Sequence, residues 1–222
     1  MGNELKNARI ERLSSECKED KNMAQDKIFI TAGDLLRDSF KLGQIVLKSG
    51  FIPDYIVAIW RGGTPIGIAV QELFDYAGIK TDHIAIRTSY YTGLDRTANN
   101  VQVHGLGYLV DKVENKNRLL IVDDIFDSGN SIAAMINELR ARAKRNIPHE
   151  IRIATPWYKP SRNVTDLDPD YFIHETDRWV VFPHELQGLA PDEVKEGKPE
   201  VADLIDEVNN LTAIKTAIKQ EE

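Results

Sequence analysis

A single cysteine, Cys17, is all the thiol this chain carries. That excludes an intramolecular disulfide and fits a reducing compartment, so a cytoplasmic location is expected. Cys17 lies among charged residues and reads as a bystander, not a nucleophile. Basic residues are also scarce: 28 Lys plus Arg face 35 Asp plus Glu, for a net charge of −7. No global basic field exists to hold nucleic acid, and no nucleic-acid partner is expected. No apolar run reaches membrane-spanning length, and the N-terminus lacks the apolar region of a signal peptide. No membrane partner is expected either. Met1-Gly2 opens like a myristoylation signal, but Lys6 stands where Ser or Thr is required. An anionic ligand must therefore be held by local donors and a metal, not by overall charge.

What is present begins with enough apolar residues, 42% of 222, to fill a core. The length suits one domain with an appendage, or two small ones. Residues 1–26 form a charged N-terminal arm with few apolar anchors. Residues 27–188 form the main domain, and 189–222 an acidic linker with a C-terminal helix. Along the main domain, apolar strand-like runs alternate with helical spacing, the pattern of an α/β fold with a mostly parallel sheet.

The stretch everything else points to is Arg118 to Ser131, RLLIVDDIFDSGNS. Leu119 to Val122 read as a strand buried on both faces. Asp123 and Asp124 end it. Asp127-Ser128-Gly129-Asn130-Ser131 is a small polar turn, and Ile132, Met135, Ile136 and Leu139 then recur at helical spacing. In open α/β sheets, ligands lie beyond the carboxyl ends of the strands. A helix start with free backbone N–H groups and small side chains seats a phosphate. Two carboxylates beside it suit the cis-diol of a ribose. The bland alternative is a solvated strand end with Asp127 as a helix cap. The joint occurrence of strand, double acid, third acid and Ser/Gly/Ser turn favours a sugar-phosphate site.

Earlier in the chain, Thr31 caps a helix whose face carries Leu36, Phe40, Gly43 and Leu47 and which stops at Gly50. A strand over Tyr55 to Trp60 runs into Arg61-Gly62-Gly63-Thr64-Pro65, and a helix resumes over Ile66 to Tyr76. The glycines let backbone approach an anion, and Arg61 can supply charged hydrogen bonds. His83 to Thr88 reads as a strand. Thr92 to His104 reads as a long flexible loop, which in a compact domain is often a lid. Leu106 to Val113 is expected to be an edge strand. Ile151 to Tyr158 is another strand, ended by Lys159-Pro160. Tyr171 to Glu175 and Trp179 to Phe182 read as strands of a small hood spanning about 159–188. Past Leu189, Val201, Leu204, Ile205, Val208, Leu211 and Ile214 show helical spacing.

The motif at 118–131 resembles the signature that binds 5-phosphoribosyl 1-pyrophosphate (PRPP) in the phosphoribosyltransferases, most closely the hypoxanthine, guanine and xanthine branch. The resemblance covers about residues 30–186. It implies the type I phosphoribosyltransferase fold: a central sheet flanked by helices, a small β hood and a flexible lid loop. It implies transfer of the phosphoribosyl group to a 6-oxopurine, with Mg²⁺ as cofactor and PRPP and a purine base as substrates. It implies that Asp123 and Asp124 hold the ribose hydroxyls. Ser128, Gly129, Asn130 and Ser131 would cradle the 5′-phosphate, and Asp127 would be the catalytic base. Arg61 and Gly62 would take pyrophosphate, with a non-proline cis peptide expected at Arg61–Gly62. Ser89 and Tyr90 would belong to the lid. Lys159 would reach the purine 6-oxygen, Trp179 would stack on the base, Val180 would read its edge by its carbonyl, and Glu185 would complete the pocket. Mg²⁺ would arrive with PRPP, with Asp123, Asp124 and Glu185 as candidate ligands. A homodimer or homotetramer is expected.

The chain departs from the pattern at Ser128 and Asn130-Ser131, which keep small or polar groups, and at His184, where bacterial xanthine-guanine enzymes carry Trp. One rival is a non-catalytic PRPP or nucleotide sensor on the same fold. Such regulators often add a basic DNA-binding segment, which the acid excess disfavours. Another is a phosphoribosyltransferase for a different base, which Lys159 and Trp179 disfavour.

Overall fold

The computed structural model describes residues 27–90 and 101–221. The N-terminal arm and residues 91–100, the bulk of the expected lid, lie outside the described residues. Two compact units divide the chain: 32–177, and 27–31 with 178–221.

The larger unit is an α/β sheet with helices. In chain order it holds α1 (Ala32–Lys48), β2 (Tyr55–Trp60), α2 (Gly63–Tyr76), β3 (Asp82–Tyr90), β4 (Val101–His104), α3 (Gly107–Lys112), β5 (Arg118–Val122), β6 (Ile125–Phe126), α4 (Asn130–Ala143), β7 (Glu150–Ala154), β8 (Trp157–Tyr158) and β9 (His174–Glu175). The main sheet runs β4-β3-β2-β5-β7. All its pairs are parallel except β3 with β4 at the edge. Strand β5 lies inside the sheet between β2 and β7, and Leu119, Leu120, Ile121 and Val122 are each fully buried. Burying such side chains contributes ~1.5–3 kcal/mol apiece, which explains the continuous apolar run. One core packs Val57, Ile59 and Ile86 of the sheet against Ile132, Met135 and Leu139 of α4. The helical spacing read after Ser131 is thus the buried face of α4.

A small second sheet, β6-β8-β9, is entirely parallel. It turns the chain just past the β5 tip and places β8, and so Lys159, beside β6.

The smaller unit pairs β1 (Lys27–Phe29) with β10 (Trp179–Val181) in parallel, followed by α5 (Pro191–Gly197) and α6 (Ala202–Glu221). The Lys27 ammonium bonds both Glu193 oxygens, at 2.6 and 2.8 Å, and lies 4.5 Å from the Trp179 ring centroid. Glu193 also accepts from the Ala190 N–H at the start of α5, at 2.9 Å. Lys27, the first lever on Glu193, holds that carboxyl below its usual range. The buried Lys198 donates to the Phe182 and Pro183 carbonyls, and burial lowers its pKa.

Several local expectations are corrected. Leu106 to Val113 is not an edge strand but carries the helix α3. Leu109 is its buried residue, and Leu106 and Val113, which flank the helix at either end, are buried as well. Val101 to His104, expected within the loop, is instead the edge strand paired with β3. Strand β3 continues through Ser89 and Tyr90. The run Ile151 to Tyr158 breaks at Thr155-Pro156 into β7 and β8. Proline cannot donate to a ladder, so the break falls there. The non-proline cis peptide lies at Trp60–Arg61, one bond earlier than expected, where the pairing of β2 ends.

Candidate active site

The site forms at the carboxyl edge shared by β5 and β2, which run parallel. Asp123 and Asp124 follow β5 directly; Arg61, Gly62 and Gly63 follow β2. The glycines explain how the two tips fit. A Cβ on Gly62 would stand 1.9 Å from Asp124 Oδ2, and one on Gly63 2.4 Å from the Val122 carbonyl oxygen. No side chain fits there, so loop and acid pair lie in direct contact. The two motifs read separately from the sequence form one surface. Arg61 is exposed on it, and its carbonyl accepts the Thr64 N–H at 3.1 Å.

Asp123 accepts the Asp124 backbone N–H at 3.0 Å and a backbone bond from Gly63. Its pKa is nonetheless raised well above the ordinary carboxylate range, first by burial and then by the charge of Asp124. Two acids this close disfavour joint ionisation. A divalent cation or the hydroxyls of a sugar would relieve that crowding. Hard carboxylate oxygens at a strand end are the donor set Mg²⁺ prefers, so the residues fit the ion.

The turn beyond β6 is tightly packed around a glycine. Gly129 has φ +77° and immediately precedes α4. A Cβ there would meet Thr165 Oγ1 at 2.5 Å and the Phe126 ring at 2.9 Å. Only glycine combines that backbone with that closeness. No side chain caps the start of α4. The nearest approach is a long 3.4 Å contact from the Asn130 N–H to Ser128 Oγ. Backbone N–H groups at the start of a helix have no partner within the helix, and here the long Ser128 contact is the side-chain bond seen on the Asn130 N–H.

Asp127 differs from the acid pair. Lys159 Nζ lies 3.1 Å from its Oδ2, and Arg162 Nε 2.8 Å from its Oδ1. Lys159 is almost wholly buried, and its backbone N–H bonds the Phe126 carbonyl at 2.9 Å. A 3₁₀ turn over Pro160–Arg162 follows. Side chains three apart eclipse in such a turn, so Lys159 and Arg162 reach the same carboxylate. Sequence reasoning missed Arg162 and Thr165. The Lys-Pro-Ser-Arg spacing, with proline at the first helical position, is a signal that could have found Arg162.

Ser89 lies in β3, its Oγ 3.2 Å from His104 Nε2, and Tyr90 ends that strand opposite Val101. Trp179, Val180 and Glu185 belong to the smaller unit. Trp179 is 44% exposed, with the Lys27 ammonium over its ring; Val180 is buried opposite Ile28. Glu185 Oε2 accepts the Phe182 N–H at 3.2 Å. His184 stacks on Phe182, with ring centroids 5.8 Å apart.

The match to known proteins is decided by a family model, the phosphoribosyl transferase domain, which covers residues 36–188. The chain belongs to the phosphoribosyl transferase domain family. Phosphoribosyltransferases are glycosyltransferases, so membership sets the enzyme class. Within the family, this phosphoribosyltransferase is similar to hypoxanthine-guanine phosphoribosyltransferases of streptococci. Identity to the Streptococcus thermophilus enzyme is 25% over 186 residues, 83% of this chain and 96% of that one. The match to the Streptococcus mutans enzyme is 27% identical over 54% of this chain and spans 61% of that enzyme's length. A solved purine phosphoribosyltransferase from Pyrococcus horikoshii superposes with TM-score 0.56 at 25% identity, covering 74% of this chain and 97% of that one. The type I fold read from the sequence is the fold observed. No described helix is long and apolar enough to cross a membrane.

Proposed function

We propose that this protein transfers the 5-phosphoribosyl group from PRPP to a 6-oxopurine: hypoxanthine, guanine or xanthine. The products are the nucleoside 5′-monophosphate and pyrophosphate. The observation that carries the reading is the Lys159–Asp127 pair. It offers a donor and an acceptor 3.1 Å apart. A 6-oxopurine with its proton on N7 offers the mirror pattern, an O6 acceptor and an N7–H donor ~3 Å apart on one edge. An adenine would present an amino donor to Lys159 and be rejected, since a buried donor left unpaired is costly. The streptococcal and Pyrococcus relatives support the purine assignment.

Asp123 and Asp124 hold the ribose hydroxyls, and the N–H groups and hydroxyls of Ser128 to Ser131 hold the 5′-phosphate. Arg61 and the Gly62 backbone hold the pyrophosphate. Asp123, Asp124 and Glu185 are the candidate ligands for Mg²⁺, which when bound supplies charge neutralisation to the leaving pyrophosphate. As the C1–oxygen bond breaks, positive charge grows on the ribose, as in other glycosyl transfers. The N9 lone pair forms the new bond to C1, and Asp127 takes the N7 proton. Lys159 polarises O6, and Trp179 stacks on the ring. Val180 reads the ring's edge. The Ser89-Tyr90 segment shields the site from water, which would otherwise hydrolyse the activated sugar. A cytoplasmic homodimer or homotetramer remains part of the proposal, and sedimentation analysis tests the assembly. The deciding experiment is pyrophosphate release with PRPP and Mg²⁺ against a panel of purines and pyrimidines. Release with 6-oxopurines alone supports the reading; release only with orotate or uracil, or none with any base, sinks it.

A further inference from the structure

We infer that Arg162 is a positioning residue for the transfer: it anchors Asp127 through Oδ1 and keeps Oδ2 aimed at the base while Lys159 changes partner. The inference rests on the function proposed above. At rest each oxygen of Asp127 has its own cation, Arg162 Nε at 2.8 Å and Lys159 Nζ at 3.1 Å. In the reaction Lys159 must turn to the purine O6, and Oδ2 must accept the N7 proton. Once Lys159 lets go, one contact remains among those the structure shows on this carboxylate: Arg162. The terminal torsion of an aspartate is soft, so a carboxylate held at neither oxygen would swing away from the proton it must take.

The chemistry of the two cations suits these different tasks. A lysine ammonium is a compact charge on a flexible stem that can shift from one acceptor to another. Arginine has a planar guanidinium that stays charged and never competes for the transferred proton. The Arg162 side chain is 60% exposed. An ion pair that exposed adds little to folding, so its removal tests positioning, not stability. Arg162 meets Oδ1 and not Oδ2, the oxygen assigned to the base under the proposed function, so it is expected to take no part in telling one 6-oxopurine from another.

A double-mutant cycle over Asp127→Asn and Arg162→Gln tests this, with single-turnover kinetics, hypoxanthine and guanine as substrates, and thermal melting. Arg162→Gln should lower kcat about 10- to 100-fold, the scale of misplaced catalytic groups. The PRPP KM and Tm should hold, the loss should match for both bases, and Arg162→Lys should recover part of it. In the Asp127→Asn background the same change should cost less than about twofold, because coupled residues are non-additive. An unchanged kcat in Arg162→Gln overturns the inference, as does an equal loss in both backgrounds or a loss confined to the PRPP KM. A wild-type protein that releases no pyrophosphate with any purine sinks the proposed function instead, and this inference with it.

Discussion

Asp123 and Asp127 stand four residues apart beyond the same buried strand, yet they meet opposite surroundings. Asp123 is crowded by Asp124 and by burial, and its ionised form is disfavoured. Asp127 is gripped by Lys159 and Arg162. The difference teaches that one loop can hold acids in opposite electrostatic settings, which the proposed function uses to divide binding from chemistry. Crowded acids are poised to gain from an incoming cation or diol. Under the proposed function, Asp127 takes its proton at Oδ2 once Lys159 has turned to the base, while Arg162 still holds Oδ1.

The sharpest way to break this contrast is Asp127→Ala. It should lower kcat ~10²- to 10⁴-fold, the usual share of a general base, with PRPP affinity by calorimetry nearly intact. A variant that loses PRPP but keeps kcat would mean both acids do the same job. Next is Lys159→Ala, expected to raise KM for hypoxanthine and guanine ~10- to 100-fold. An equal change in any residual adenine reaction would remove the O6 contact. Gly129→Ala sharpens the picture of the turn just past Asp127. Its left-handed backbone and the nearby Thr165 should cost ~1–3 kcal/mol, read by denaturant melts. A neutral result would show that the turn tolerates rearrangement.

The smallest effect belongs to Asp123. Its folded pKa is raised, so the folded state keeps a proton that the unfolded chain has lost. The associated stability is full below the ordinary carboxylate range and is lost as pH rises through the raised value. Melting of the ligand-free protein should therefore fall slightly with rising pH across that window. Asp123→Asn should flatten that slope, raise Tm a little at neutral pH and weaken PRPP binding. A Tm that rises with pH across the window in wild type, and not in Asp123→Asn, would reverse the electrostatic account.

The legible parts of the molecule were local. Leu119 to Val122 announced a doubly buried strand, and residues 132–139 a helix, because burial writes its period into neighbouring residues. The glycines at 62, 63 and 129 marked close approach, although what they approach could not be read. The misreadings share a cause. Val101 to His104 is a strand only because β3 lies beside it, and Leu106 to Val113 is too short a run for periodicity to choose between helix and strand. Lys27 to Phe29 is three residues long and finds its partner at Trp179 to Val181. No local pattern carries such a pairing.

By itself the chain determined its class of fold and the chemistry of its loops, because apolar period and side-chain type are properties of neighbours in sequence. Only the tertiary structure decided that Gly62 rests on Asp124 and that Lys159 and Arg162 share Asp127. Those contacts join loops that are distant in sequence, Gly62 with Asp124 and Asp127 with Arg162, and register between parallel strands is set by packing of the whole sheet.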